Sequence, residues 1–358
     1  MAGKRDHVRV GVIGLGMGRA HLAGYAKSPR CTIAAICDTD AERLRQVGEE
    51  FRVEESRRFT SAEALIVAAK SRRAGIDAVS VVLPNTLHAS VSIRALRAGL
   101  HVLCEKPMAM TVRQAERMVA EARKARRTLA INLSFRFTPQ SRALKEIADS
   151  GRLGRIYYAR TRWMRERGIP GFGGWFGTKR LSGGGPVIDL GVHRMDLAMW
   201  LMGNPKPVSV SAVTYDLIGS RVAREQAKPF DVEDFGAAFV RFEGGASLVL
   251  EASWAGYIGK QEDMITEILG DRGGIVQRNL REGYEFEARV HGEEGGALVE
   301  TVVRRRLDPA PSAYEDFVDA LVERREPLAP AVHGLQVQRV LDGIYRSAAL
   351  GREVRLKG

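Results

Sequence analysis

The chain has 358 residues, 45% hydrophobic and 27% charged, which suits a globular protein long enough for two cored domains and argues against a low-complexity or disordered chain. Its formal charge of +12 comes with arginine groups (Arg57-Arg58, Arg72-Arg73, Arg126-Arg127, Arg304–Arg306, Arg324-Arg325) scattered among acids, with no single stripe and no interleaved aromatics. That pattern carries no nucleic-acid motif and reads as a solvated surface with some attraction for phosphate-bearing small molecules. No run reaches membrane-spanning length, MAGKRDHVRV lacks a signal-peptide core, and the three cysteines (Cys31, Cys37, Cys104) form neither CxxC nor a metal spacing. The expectation is a cytoplasmic protein with reduced thiols and no metal.

Val8–Ile13 is a dense β-type run, followed directly by the turn Gly14-Leu15-Gly16-Met17-Gly18. Arg19–Ser28 reads as a helix stopped by Pro29, and Ile33–Cys37 as a second strand ending on Asp38. Strand, glycine turn, helix and distal acid together make a dinucleotide-binding unit: the glycines let backbone approach a pyrophosphate, and the helix N-terminus offers it free N–H groups. The third glycine is Gly18, where the G-x-G-x-x-G spacing would place it at Arg19. A carboxylate at Asp38 suits both ribose hydroxyls of NAD. It repels the 2′-phosphate of NADP by roughly 4 kcal/mol, for unit charges about 4 Å apart at an effective dielectric of about 20. No basic residue follows immediately, Arg43 being the nearest, so NAD is favoured over NADP. Asp38 could also cap the helix from Ala41 onward, which does not exclude the cofactor role.

Ala78–Leu83 is a continuous apolar strand, and Pro84-Asn85-Thr86-Leu87-His88 sets Asn85 and His88 at its ligand-side end, where turn chemistry explains them equally well. A helix over Ala89–Ala98 and Gly99 lead to the strand His101–Cys104, closed by Glu105-Lys106-Pro107. Pro107 holds Lys106 extended, and the X-Pro bond is open to the cis form. Alone, Glu105-Lys106 reads equally as an exposed pair in a βα loop. Thr111 caps a helix over Val112–Ala125, and Thr128–Leu133 is the last strand of this half, with Asn132 at the crevice edge.

From residue 134 the character changes. Ser141–Ser150 reads as a helix and Ile156–Trp163 as a strand. The Gly- and aromatic-rich stretch Gly168–Gly185, with Phe172, Trp175 and Phe176, reads as a lid, a binding segment or a self-packed loop. Pro186 opens a helix on which Asp189 and His193 stand at i and i+4, with Asp196 three residues on. Such a pair is more often a surface pair than a catalytic one, but the rest of this helix is apolar, and buried polar groups need a partner or a function. Strands follow at Val208–Leu217, Phe235–Phe242, Ser247–Trp254, Met264–Leu269, Gly274–Arg278 and Tyr284–His291, and helices near Tyr314–Arg324 and Gly334–Leu350 close the chain. Arg136, Arg160, Arg162, Arg165, Arg167, Lys179 and Arg180 suit either an anionic substrate or a solvated surface.

The stretches GLGMGRAH, AICDTDAERL, VLPNTLHA and GLHVLCEKPMAMT, then SFRFTPQ, SGGGPVIDLGVHRMDLAMWLMG and the closing YEDFVDALVERREP and IYRSAALGREVRL, resemble the glucose–fructose oxidoreductase/inositol dehydrogenase (Gfo/Idh/MocA) family over most of the chain. The resemblance implies an α/β Rossmann domain (1–133) followed by an α+β domain (134–358) with a large, mostly antiparallel open sheet, used for substrate binding and oligomerisation. It implies an NAD-dependent oxidoreductase acting on a hydroxyl or carbonyl of a sugar, inositol or sugar derivative, with catalytic Lys106, Asp189 and His193. The expected cofactor set is Gly14, Gly16, Met17, Gly18, Asp38, Pro84, Asn85, His88, Glu105 and Lys106, and the substrate set Lys106, Asn132, Arg136, Trp175, Asp189 and His193. Either Lys106 or His193 serves as the base, the two expected to meet at one substrate oxygen. The partners expected are a small molecule and a second copy of the chain (dimer or tetramer), with neither nucleic acid nor membrane. An NAD-dependent glycosidase and a non-catalytic dinucleotide sensor stand as alternatives.

Overall fold

The computed structural model describes residues 6–70, 75–304 and 310–356. Arg72-Arg73, and Arg305 and Arg306 of the triplet, lie outside the described residues. The chain forms two compact units, Met1–Leu133 with Pro311–Leu335, and Ser134–Ala310 with Gln336–Gly358.

In the first unit, strands β1 (Val8–Ile13), β2 (Cys31–Cys37), β3 (Arg58–Phe59), β4 (Ala78–Val81), β5 (His101–Cys104) and β6 (Leu129–Ile131) alternate with helices α1 (Gly18–Tyr25), α2 (Ala41–Glu50), α3 (Ala62–Lys70), α4 (Asn85–Arg97) and α5 (Val112–Ala125). The sheet is parallel throughout, in the order β3-β2-β1-β4-β5-β6. Helices on both faces explain why β4 is buried at every residue, and why these strands read as unbroken apolar runs. Strand order reverses between β1 and β4, which is where such sheets open a ligand crevice at their carboxyl ends. One local expectation changes. The helix predicted from Ala89 begins at Asn85, directly after an extended Pro84, so Asn85 and His88 occupy its first turn and not a loop.

The second unit holds α6 (Pro139–Asp149), β7 (Ile156–Arg165), α7 (Lys179–Ser182), α8 (Val192–Leu201), β8 (Pro207–Tyr215), α9 (Leu217–Gln226) and strands β9 (Phe235–Phe242), β10 (Ser247–Ser253), β11 (Glu262–Gly270), β12 (Gly273–Leu280), β13 (Glu285–Glu294) and β14 (Ala297–Val303). With β15 (Val354–Arg355) after α11 (Ala331–Leu350), they form a nine-stranded open sheet in the order β14-β13-β12-β11-β7-β10-β9-β8-β15. All its pairings are antiparallel except β7 with β10. Helix α8 packs on β7, β10 and β11, and α6 on β12 and β13. Along β9, Gly236, Ala238, Val240 and Phe242 are buried while Ala237, Phe239 and Arg241 are not, which identifies the covered face that the sequence left open.

Three elements depart from expectation. The strand read through Leu217 stops at Tyr215, and α9 begins at Leu217 because the Asp234 carboxylate accepts the N–H groups of Ile218 (2.7 Å) and Gly219 (2.5 Å). Strand β14, exposed along most of its length, has no apolar alternation to announce it. Helix α10 (Ala313–Glu323) belongs to the first unit rather than to a domain running from 134 to the end. Its Phe317, Val318 and Val322 join the core of Val10, Val12 and Leu22, and that apolar face explains the return. Among the described residues no helix is long and apolar enough to cross a membrane.

Candidate functional site

The glycine turn of the first unit divides its work among three positions. Gly14 has φ +92°, and a Cβ there would lie 1.9 Å from the Val82 carbonyl oxygen, so the tight turn requires glycine. Gly18 starts α1 so close to β1 that a Cβ would stand 3.0 Å from Val12 Cγ1. A Cβ on Gly16 would meet nothing within 4 Å, leaving open space beside the backbone. Those are the three demands a bound pyrophosphate makes on such a turn, so the segment fits a dinucleotide despite the shifted third glycine. Met17, on the rim, is 73% exposed.

Asp38 is buried at the end of β2, its Oδ2 accepting the N–H of Leu15 (2.8 Å) and its Oδ1 that of Asp40 (2.9 Å). Its carboxylate is thereby pinned beside the turn. The α2 cap is Asp40, not Asp38. Arg43, the nearest cation in sequence, bridges Asp38 (3.3 Å) and Asp40 (3.1 Å), so its charge is matched by two carboxylates. Leu15, Gly16, Asp40 and Arg43 line a cleft of about 270 Å³.

The Glu105-Lys106-Pro107 element leaves β5 with a cis Lys106–Pro107 bond. Glu105 Oε1 accepts from His21 Nε2 (2.8 Å) and Asn132 Nδ2 (2.5 Å), and Oε2 accepts the Lys106 backbone N–H (3.1 Å). Burial works against the charge on Glu105, but the bonds from His21 and Asn132 and the nearby Lys106 charge hold its pKa down at about 2. His88, one of the expected cofactor residues, is fully buried, its ring 2.7 Å from the carbonyl oxygens of Pro107 and of Leu83. It clamps the loop after β4 to the loop after β5, and burial pushes its pKa down. Asn85 is also buried, while Pro84 and Thr86 are half-buried and Leu87 is exposed, so Asn85 and His88 are the packed positions of this segment.

In the second unit, Gly184–Leu201 is buried at every position except Asp189 and His193. The backbone makes a π turn over Val187–Gly191 before α8, a departure that recurs at functional sites. Its start is fixed by Glu233, whose Oε1 accepts the Val187 N–H (3.2 Å) and the Tyr345 hydroxyl (2.9 Å), and burial raises the Glu233 pKa. Gly185 is obligatory, since a Cβ would fall 1.9 Å from the Glu233 carbonyl oxygen. Trp254 Nε1 donates to Asp189 Oδ2 at 3.0 Å, and the His193 ring packs beside Phe135 and Trp163, with centroids 5.2 and 5.9 Å away. An oriented carboxylate and an imidazole packed against aromatic rings thus share one half-buried strip of an otherwise buried segment. An imidazole there is suited to proton transfer near neutral pH.

The arginines expected near the substrate go elsewhere. Arg136, counted for substrate, is fully buried and its guanidinium is held by Asp196 (2.9 and 2.5 Å). Arg160, Arg162 and Arg165 pair with Glu267, Asp263 and Glu262, so these cations are balanced within the sheet. Trp175 stacks on Phe176, ring centroids 3.9 Å apart, within the Gly168–Gly185 segment, which also contains a 3₁₀ turn and α7. Reading the sequence missed His21 and Trp254. His21 sits three residues past Gly18 and Trp254 at a strand end, and neither position carries a local signal of its partner.

Two family models match. That described as "Oxidoreductase family, NAD-binding Rossmann fold" of GFO/IDH/MocA covers residues 8–133, and the GFO/IDH/MocA C-terminal domain covers residues 141–298. D-glucoside 3-dehydrogenase of Escherichia coli K12 is 32% identical over 358 residues, spanning 98% of this chain and 97% of that protein. Myo-inositol 2-dehydrogenase of Thermotoga maritima is 28% identical, spanning 91% of each chain. Among solved structures, levoglucosan dehydrogenase in complex with NADH superposes with a TM-score of 0.84 at 25% identity, over 98% of this chain and 99% of the other. Aldose-aldose oxidoreductase from Caulobacter crescentus, complexed with glycerol, gives a TM-score of 0.82 at 28% identity, over 98% and 100%.

Proposed function

The chain belongs to the Gfo/Idh/MocA family of NAD-binding oxidoreductases, and on that premise we propose that it oxidises a secondary hydroxyl of a sugar, polyol or glycoside, or reduces the corresponding carbonyl. NAD supplies the hydride acceptor, held by the Gly14–Gly18 turn and Asp38. His193 takes the hydroxyl proton, Asp189 orients the imidazole or a neighbouring substrate hydroxyl, and Lys106 stabilises charge developing on the reacting oxygen. Asn132 and Trp175 contribute to substrate binding. The observation that carries this reading is the strip on Gly184–Leu201, where Asp189 and His193 alone escape burial. A dinucleotide sensor has no need of such a proton-transfer pair, and nothing favours a glycosidase. The free cysteines suit a reducing cytoplasm, and the open nine-stranded sheet suits self-association as a dimer or tetramer.

The experiment is a panel of hexoses, inositols, uronates and alkyl or aryl glucosides, followed by NADH absorbance, with aglycone release measured in parallel. Lys106→Ala and His193→Ala are expected to lose most turnover and keep NADH binding. Near-normal turnover in His193→Ala removes its assignment, and aglycone release without net NADH would replace the dehydrogenase reading by the glycosidase.

A further inference from the structure

His21 lies on α1 and belongs to none of the sets assigned above. Its ring is only 1% exposed, and both nitrogens have side-chain partners, which makes it a built feature of the first unit. Nδ1 is 3.1 Å from Ser80 Oγ, and the Tyr25 hydroxyl is 2.7 Å from the same oxygen. One arrangement of the hydrogens satisfies the whole chain. Burial pushes the Tyr25 phenol well above its ordinary pKa, so it keeps a hydrogen, which in this arrangement it donates to Ser80. Ser80 then donates to His21 Nδ1, and His21 Nε2–H donates to Glu105, a carboxylate that only accepts. With this assignment every hydrogen in the chain Tyr25, Ser80, His21, Glu105 has an acceptor.

The chain ends where the residues proposed for chemistry begin. Glu105 also receives the Asn132 amide and the Lys106 backbone N–H. Ser80 is on β4, Glu105 just past β5 and Asn132 just past β6, three neighbouring strands of the sheet. The Glu105 carboxylate therefore ties the ends of β5 and β6 together directly and reaches β4 through His21 and Ser80, at the carboxyl ends of the strands over which the second mononucleotide half of such folds lies. Tyr314 of α10 closes the other side, its ring 4.7 Å from that of His21.

We propose that His21 is a positioning residue for the reaction: its N–H fixes the Glu105 carboxylate against which the Lys106 backbone and the Asn132 amide are set. The proposal rests on the role given to Lys106 above. Misplacing a reacting group by about 1 Å costs on the order of 10²-fold in rate, so the loss should fall on turnover and not on cofactor binding.

The test compares His21→Gln, whose amide N–H can still donate to Glu105, with His21→Leu, which cannot. NADH fluorescence counts cofactor-competent sites, the active sugar of the panel gives kcat per site, and Lys106 modification by pyridoxal 5′-phosphate with borohydride, read by peptide mass spectrometry, reports on the lysine without substrate. In His21→Leu, kcat per NADH-binding site should fall about 10²-fold with the NAD KM little changed, and Lys106 labelling should speed up several-fold. His21→Gln should recover most of both. A purely structural role would lower melting temperature and site count while leaving kcat per site and labelling at parent values, and that result overturns the proposal. If the parent oxidises nothing in the panel, the functional reading falls while the labelling comparison still decides this one. If His21→Leu does not fold, Ser80→Ala, which frees Nδ1, carries the same expectation at about tenfold, and parent-like labelling and turnover there overturn it.

Discussion

Replacing Arg136 by methionine isolates the energetics of a fully buried ion pair in the second unit. Arg136 and Asp196 side chains are 0% and 1% exposed, joined through two hydrogen bonds of 2.9 and 2.5 Å, with the guanidinium also 5.6 Å from the Trp200 ring centroid. Removing one partner strands the other in low dielectric, at about 3–5 kcal/mol. Burial already raises the Asp196 pKa, with Arg136 holding it back, so in Arg136→Met the carboxyl should bind a proton well above its ordinary range. A raised folded pKa penalises the ionised form. The destabilisation is therefore full at neutral pH and shrinks as pH falls towards the unfolded Asp value of about 3.9. The double variant Arg136→Met/Asp196→Leu removes both charges and should lie within about 2 kcal/mol of the parent, although the single losses sum to about 6–10 kcal/mol. Urea unfolding followed by tryptophan fluorescence at neutral and acidic pH measures each term. A double variant that loses the sum of the singles, or a single variant whose cost does not ease in acid, refutes the reasoning.

Glu105, held near pKa 2 against an ordinary 4.5, contributes about 3 kcal/mol that is fully present above pH 4.5 and lost as pH falls towards 2. Unfolding free energies measured down that window should drop in the parent and flatten in Glu105→Gln; parallel curves would remove the assignment. Trp254→Phe deletes the 3.0 Å bond to Asp189 from a fully buried ring, and should lower kcat about tenfold while NADH affinity holds, as one hydrogen bond to a charged group is worth about 1.5–3 kcal/mol. Unchanged kcat would free Asp189 from Trp254. Burial pushes the thiols of Cys31, Cys37 and Cys104 up to about 12, so native protein should resist iodoacetamide at about pH 8 and alkylate fully once unfolded, with fast native alkylation counting against the packing.

What was legible in the sequence is what depends on near neighbours. The run from Val8 to Asp38 announces strand, glycine turn, helix and acid because each is decided within a few residues by backbone freedom and periodicity. The apolar strands of the first sheet are legible for the same reason, and the i and i+4 spacing of Asp189 and His193 sets both on one face of an apolar segment, while a catalytic role for them was implied only by the family resemblance. The tertiary structure decided what each polar group does once buried. Arg136 looked like a cation for substrate and is the counter-ion of a residue 60 positions on. His88 looked like a loop ligand and braces two loops, α9 exists because Asp234 caps it from 15 residues away, and α10 folds back to the first unit to cover apolar side chains from the chain's beginning. His21 and Trp254 gained partners 84 and 65 residues distant. A buried hydrogen bond or ion pair is chosen by which groups the fold brings within 3 Å, a long-range condition with no periodicity to betray it, whereas a turn or a strand is chosen by the residues that form it.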